Sequence, residues 1–214
     1  RLDFYPVPSY SVPIGSLVPK GIDNFIIAEK SISVSNLVNG TTRLQPVVMQ
    51  IGQAAGILAH LSTKNNKSTR EVSVREIQSE ILKSKGYILP YADVESDHPN
   101  FLSYQKIGAC GILRSKGVNI GWENKTFFYP NKDLEHNHIF LEGWNMLGTP
   151  PQELSIINIL EWLHDLNGEN FKIEKELKDY WETLNLKNFS KDRIIKRGEF
   201  AVVLDDIINP FLNV

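Results

Sequence analysis

The chain has one cysteine, Cys110, in 214 residues. A single thiol closes no internal disulfide and supports no cysteine-rich zinc site. An excess of either charge is also lacking, with 23 Lys and Arg against 25 Asp and Glu for a net charge of -2. There is then no global field to gather nucleic acid or to coat an anionic membrane, and no nucleic-acid partner is expected. No apolar run approaches the roughly 20 residues of a membrane span, and none is expected. The glycines never fall in a Gly-x-Gly-x-x-Gly pattern, so the phosphate-cradling turn of a dinucleotide fold is missing. Nor does a Gly-x-Ser-x-Gly elbow provide a hydrolase nucleophile.

What is present is enough apolar residue, 42%, to build a core in a chain of this length. The opening Arg1-Leu-Asp-Phe-Tyr5 has the character of neither a signal peptide nor a tag, and the chain is expected to be a fragment or a processed product. Nine polar residues, Ser62 to Arg70, divide a glycine-bearing first part (1–63) from a more charged second part (71–214).

In the first part Pro6, Pro8 and Pro13, set among Tyr5 and Tyr10, predict extended chain, and Pro19 to Asn24 a turn. Phe25 to Ala28 is a continuous apolar run suited to a buried strand, and Ser31 to Ser35 alternates like a half-buried strand or loop. Val47, Val48, Ile51, Ala55, Leu58 and Ala59 predict a helix over 44–61, with Pro46 admissible in its first turn. Its small residues Gly52, Ala54, Ala55, Gly56 and Ala59 suit either tight packing on a neighbouring element or the approach of a flat ligand.

In the second part helices are expected over 74–85, 101–113, 138–146, 154–166, 173–184 and 196–208, with a loop and a strand-like Thr126-Phe-Phe-Tyr129 run between the second and third of them. The fold class is therefore mainly α with a few short strands.

The order Tyr10 to Ala28, then Gly40-Thr-Thr-Arg43, then Met49-Gln-Ile-Gly-Gln-Ala-Ala-Gly56, resembles the carboxy-terminal end of the FAD-dependent oxidoreductase family that includes proteins labelled xanthan lyase. The resemblance covers roughly residues 6–62 and implies a last extended strand and a helix beside a flavin. It implies Arg43, Gln45, Gly52 and Gly56 as flavin-side residues. The helix start near Thr42 would offer free N–H groups and a positive dipole end to a ring oxygen or phosphate. The same groups would equally serve helix solvation and core packing. Glu29-Lys30 stands where the family has a glycine after its apolar strand. The implied cofactor is FAD in an intact parent, with none held tightly by this fragment, and the implied partner is the missing amino-terminal flavin-binding domain of the same protein.

Tyr91-Ala-Asp-Val94, His98-Pro-Asn-Phe101, Gly111-Ile-Leu113 and Phe128-Tyr-Pro-Asn131 resemble an S-layer homology repeat, with a second, degenerate copy ending in Lys196-Arg-Gly-Glu-Phe200. The copies span 88–146 and 152–212. This resemblance implies Arg197 and Glu199 as polysaccharide-binding residues, and an exported, periplasmic or cell-surface protein. The residues Trp122, Trp144, Trp162 and Trp181 would be either sugar-stacking faces or core.

Other clusters point to simpler roles. His136 and His138 at i and i+2 would face apart on a helix, Asp165 to Glu169 lacks calcium-loop register, and Cys110 sits in an apolar pattern, so no metal site or nucleophile is assigned. The combined expectation is a fragment of an FAD-dependent oxidoreductase, inactive alone. The alternatives are a cell-wall-binding module or part of a polysaccharide lyase.

Overall fold

A computed structural model describes residues 10–121, 123–168 and 174–213. The extended stretch expected around Tyr5, Pro6 and Pro8, together with Trp122, Glu169 and Ile173, lies outside the described residues. Among those described, seven α-helices and one two-stranded sheet confirm a mainly helical protein with short strands. The contacts divide the described chain into two compact units, 10–88 and 89–213. The division falls after the polar stretch at 62–70, because the helix that follows this stretch packs back on the one before it.

In the unit 10–88, Asn36–Thr42 forms α1, Gln45–Asn65 forms α2 and Val74–Lys83 forms α3. Ser35 starts α1 by accepting a 3.3 Å hydrogen bond from the Val38 N–H. Pro46 occupies the first turn of α2, where its missing N–H costs no helical bond, and Asn66 ends the helix in a left-handed conformation. Ser73 and Glu76 cap α3 reciprocally, the Glu76 carboxylate accepting from the Ser73 N–H at 3.2 Å. Ile51, Ala55, Leu58 and Leu61 line the buried side of α2 at helical spacing. Leu17 and Ile32 cover its first half, and Val72 and Ile77 its second.

The Phe25–Ala28 run is not a strand. Asn24 and Glu29 take positive φ on either side of it, Phe25 is 52% exposed, and only isolated bonds such as Ile27 N–H to Leu17 C=O (2.8 Å) hold it. Left-handed residues at both ends stop an extended run from joining a ladder.

The unit 89–213 contains α4 (Phe101–Cys110), the hairpin β1 (Lys116–Ile120) and β2 (Glu123–Phe127), then α5 (Ile156–Asn167), α6 (Glu174–Thr183) and α7 (Arg197–Ile207). The antiparallel register runs from Lys116 opposite Phe127 to Ile120 opposite Glu123. Helix α7 is the centre: α4 and α5 pack on it, and Phe200, Ala201, Val203 and Leu204 are fully buried. Ile107 of α4, Ile159 and Leu163 of α5, and Leu177 and Trp181 of α6 complete the same core. Burying one such side chain contributes about 1.5–3 kcal/mol, so this unit holds most of the chain's hydrophobic stabilisation.

The helix expected over 138–146 does not form. Ile139 pairs with Leu113 in an antiparallel bridge, the Phe140 N–H donates to Ile112 C=O at 2.9 Å, and Gly143 adopts φ +86. Two short 3-10 turns, His136–His138 and Asn145–Leu147, stand in its place.

Candidate functional site

Of the residues expected beside a flavin, Arg43 and Gln45 lie at the start of α2, and Gly52 and Gly56 lie further along it. Arg43 is the residue after α1, its N–H donating to Asn39 C=O at 3.3 Å, and its side chain is exposed. The helix expected over 44–61 is α2, whereas Thr42, where its start was placed by resemblance, instead ends the shorter helix α1. Thr42 and Arg43 close α1, the extended Leu44 turns the chain, and α2 starts at Gln45. No side chain caps that start, and Pro46 has no N–H, so Gln45 and Val47 carry the amide hydrogens of the first turn.

Gln45, Gly52 and Gly56 lie on one face of α2, since steps of seven and four residues return to the same side of a helix. All three are exposed. Sequence reasoning missed Met49, which sits between them on this face and is 75% exposed. Its signal was a large apolar residue in step with the two glycines. Leu44, 54% exposed, and Leu37 of α1, 69% exposed, extend the apolar character of this region.

The glycines are not there for packing within the unit. A Cβ built at Gly52 or at Gly56 meets nothing within 4 Å. An exposed glycine inside a helix costs roughly 0.5–1 kcal/mol relative to alanine, so two such positions are a local loss that nothing in residues 10–88 offsets. A flat, open strip beside an uncapped helix start suits a planar group or another backbone at close range.

The second set of expected site residues has a different environment. Arg197 is 3% exposed; its Nε donates to Phe128 C=O and its Nη2 to Arg114 C=O, each at 3.0 Å. Burial pushes its pKa below the ordinary arginine value, while the Tyr91 and Asp93 side chains act in the opposite direction. Asp93, from the Tyr91-Ala-Asp-Val94 motif, accepts from the Phe128 and Tyr129 N–H groups at 2.8 and 2.7 Å. The two motifs therefore meet at one loop: Asp93 holds the amides of residues 128 and 129, and Arg197 holds the carbonyl of residue 128. Glu199 accepts from both terminal nitrogens of Arg193, at 2.8 and 2.6 Å, and from the Lys196 N–H at 2.8 Å. Both residues are engaged by the fold.

The described tryptophans are partners of the core as well. Trp181 is fully buried and donates to Lys187 C=O, Trp144 donates to Cys110 C=O, and Trp162 stacks on Phe200. His138 accepts from the Glu135 N–H, and His136 lies 3.0 Å from Pro151 C=O. Burial, with Arg197 nearby, moves the His138 pKa below its ordinary value, while the Glu135 carboxylate acts in the opposite direction.

Against known proteins, residues 1–81 match the family model described as FAD dependent oxidoreductase. No curated protein and no solved structure matches the chain.

Proposed function

We propose that the chain is the carboxy-terminal part of an FAD-dependent oxidoreductase and that the exposed glycine face of α2 is one wall of its flavin pocket. The observation that carries this reading is the pair Gly52 and Gly56, open to solvent within a region that matches an FAD-dependent family. FAD, when bound, supplies hydride uptake and release at its ring. Toward it this chain would contribute the flat Gly52/Gly56 surface, the amide hydrogens of Gln45 and Val47, the Gln45 side chain and the positive charge of Arg43. No acid or base is assigned here. The partner that closes the pocket is the amino-terminal flavin-binding domain of the same protein, and the chain alone is inactive.

On the motif resemblance, the parent falls in the group labelled xanthan lyase, and the unit 89–213 is an S-layer-homology-like appendage of an exported or cell-surface protein. Because Arg197 and Glu199 are engaged internally, their role in this reading is to hold the appendage together and not to bind polysaccharide.

Visible absorption decides the main reading. The full-length parent and this chain, each purified without added cofactor, are compared. Flavin bands in the parent and none in the chain are expected, whereas a colourless parent would reject the oxidoreductase assignment.

A further inference from the structure

The turn from Glu135 to His138 is closed by two bonds that run in opposite directions. The Glu135 N–H donates to His138 Nδ1 at 3.1 Å, and the His138 N–H donates back to Glu135 C=O at 2.9 Å. A ring nitrogen that accepts a hydrogen bond carries no proton, so the closed turn requires the neutral imidazole with its one proton on Nε2. A second proton would put an N–H at Nδ1 against the N–H of Glu135. Two donors face to face cannot bond, and the side-chain half of the closure is lost.

The surroundings of the ring bear on which form it takes. Burial opposes the charged form, the side chain being 17% exposed; the Arg197 guanidinium at the start of α7 and Lys132 Nζ, 3.5 Å from Nε2, oppose it as well. Glu135 Oε1, 3.9 Å from Nε2, favours it. That carboxylate is shared, because it also meets Lys132 Nζ at 3.3 Å, and its bond to Lys132 holds it below the usual carboxylate range. It therefore keeps its charge while a histidine titrates. Tyr91 and Asp93 face the Arg197 guanidinium.

The chain on both sides of the turn is pinned by main-chain bonds, which contain no titratable group. Before it, the Leu134 N–H donates to Ile195 C=O at 2.8 Å and the Arg197 N–H to Lys132 C=O at 2.9 Å; after it, the Phe140 N–H donates to Ile112 C=O at 2.9 Å. We propose that the turn 135–138 is an acid-operated latch: a proton on His138 Nδ1 releases the Glu135 N–H and opens the turn, while the anchors at 134 and 140 hold. The closed turn binds this proton less well than the open one. The latch is thus shut above the ordinary histidine value of about 6.5, and it opens as pH falls through the lowered value. The device is independent of the flavin assignment, since every residue it uses lies in the unit 89–213.

The test is an NMR titration of the isotopically labelled full chain from pH 7.5 to pH 5, following the histidine rings and the amides. The His138 ring should titrate below the ordinary histidine value. The Glu135 amide should shift with the same midpoint, and its hydrogen-exchange protection, corrected for the intrinsic rate, should fall severalfold, while the Leu134 and Phe140 amides keep theirs. His138→Asn places a carbonyl oxygen where Nδ1 sits, an acceptor that does not titrate, so its Glu135 amide should hold its shift and protection across the range. Lys132→Met removes a cation beside Nε2 and frees the Glu135 carboxylate to face the ring, so it should move the His138 midpoint upward. A Glu135 amide indifferent to the His138 titration would overturn the proposal. So would an acid response in His138→Asn equal to that of the parent sequence, which would place the sensitivity in another group.

Discussion

Arg197 is a buried charge held by backbone carbonyls. Its guanidinium bridges Phe128 C=O and Arg114 C=O from a site only 3% exposed, 5.5 Å from the centre of the Phe128 ring. Arg197→Met removes two charge-assisted bonds and leaves two carbonyls short of donors, so it should destabilise unit 89–213 by about 3 kcal/mol, read as a lower urea midpoint at unchanged slope. A loss under about 1 kcal/mol would mean that water replaces the guanidinium. Tyr104 gives a second prediction at the same scale. Burial, reinforced by the nearby Glu199 charge, pushes its hydroxyl up to about 12 from the ordinary value of 10. The folded protein then holds this proton more tightly than the unfolded chain does. Its contribution is complete below pH 10 and is lost as pH rises through about 12, a fall of the order of 2 kcal/mol. Urea midpoints at pH 9 and pH 11.5 should differ less in Tyr104→Phe than in the parent sequence. The difference does not vanish, because Tyr91 is shifted upward too, chiefly by burial.

Among the elements, α2 carries the sharpest prediction, because what is favourable for the isolated chain and for the proposed parent differ in sign. Gly52→Ala and Gly56→Ala place methyl groups in open space on a helix, so each should stabilise this chain by about 0.5–1 kcal/mol. In the flavin-bearing parent the same methyl groups occupy the close-approach strip, and flavin retention after gel filtration should fall severalfold. Stabilisation in both contexts would remove the glycine face from the cofactor pocket. This helix was legible in the sequence because Ile51, Ala55, Leu58 and Leu61 recur at its period, and α3, α5 and α7 were legible for the same reason. Helix α1 was not. Asn36-Leu-Val-Asn-Gly-Thr-Thr42 is composed mostly of weak helix formers, and its helix depends on the Ser35 cap and on contact with α2. Strand β1 was missed for a related reason, since glycine and asparagine are depleted in strands and Lys116-Gly-Val-Asn-Ile120 is mostly exposed. Its cross-strand bonds to β2 settle its conformation where its own composition does not.

For the whole molecule, the sequence marked where composition changes but not where contacts divide. The polar stretch 62–70 reads as a linker, yet Arg70 pairs with Asp23 at 3.3 Å and donates to Pro19 C=O, and Glu71 accepts from the Ser68 N–H at 2.8 Å. The two Arg70 bonds join residues about fifty positions apart, a relation that local periodicity does not carry. The candidate site was legible to the extent that Gln45, Gly52 and Gly56 proved to share an exposed face, while the exposure of Met49 between them needed the folded unit to be seen. The unequal cores of the two units lead to a final prediction. Residues 89–213 bury one continuous cluster that includes Phe128, Trp181 and Phe200. Residues 10–88 bury two small clusters and expose Ile22, Phe25, Leu37, Leu44 and Met49. Expressed separately, the piece 89–214 should unfold in one sharp thermal transition, because the helices that build its core are all its own. The piece 1–88 should melt broadly and bind a hydrophobic dye, since a chain of that size with little burial and open apolar faces is marginally stable. A sharp transition from 1–88 alone, with no dye binding, would mean that the exposed face of α2 has no need of a covering partner, and the flavin-domain reading would lose its physical basis.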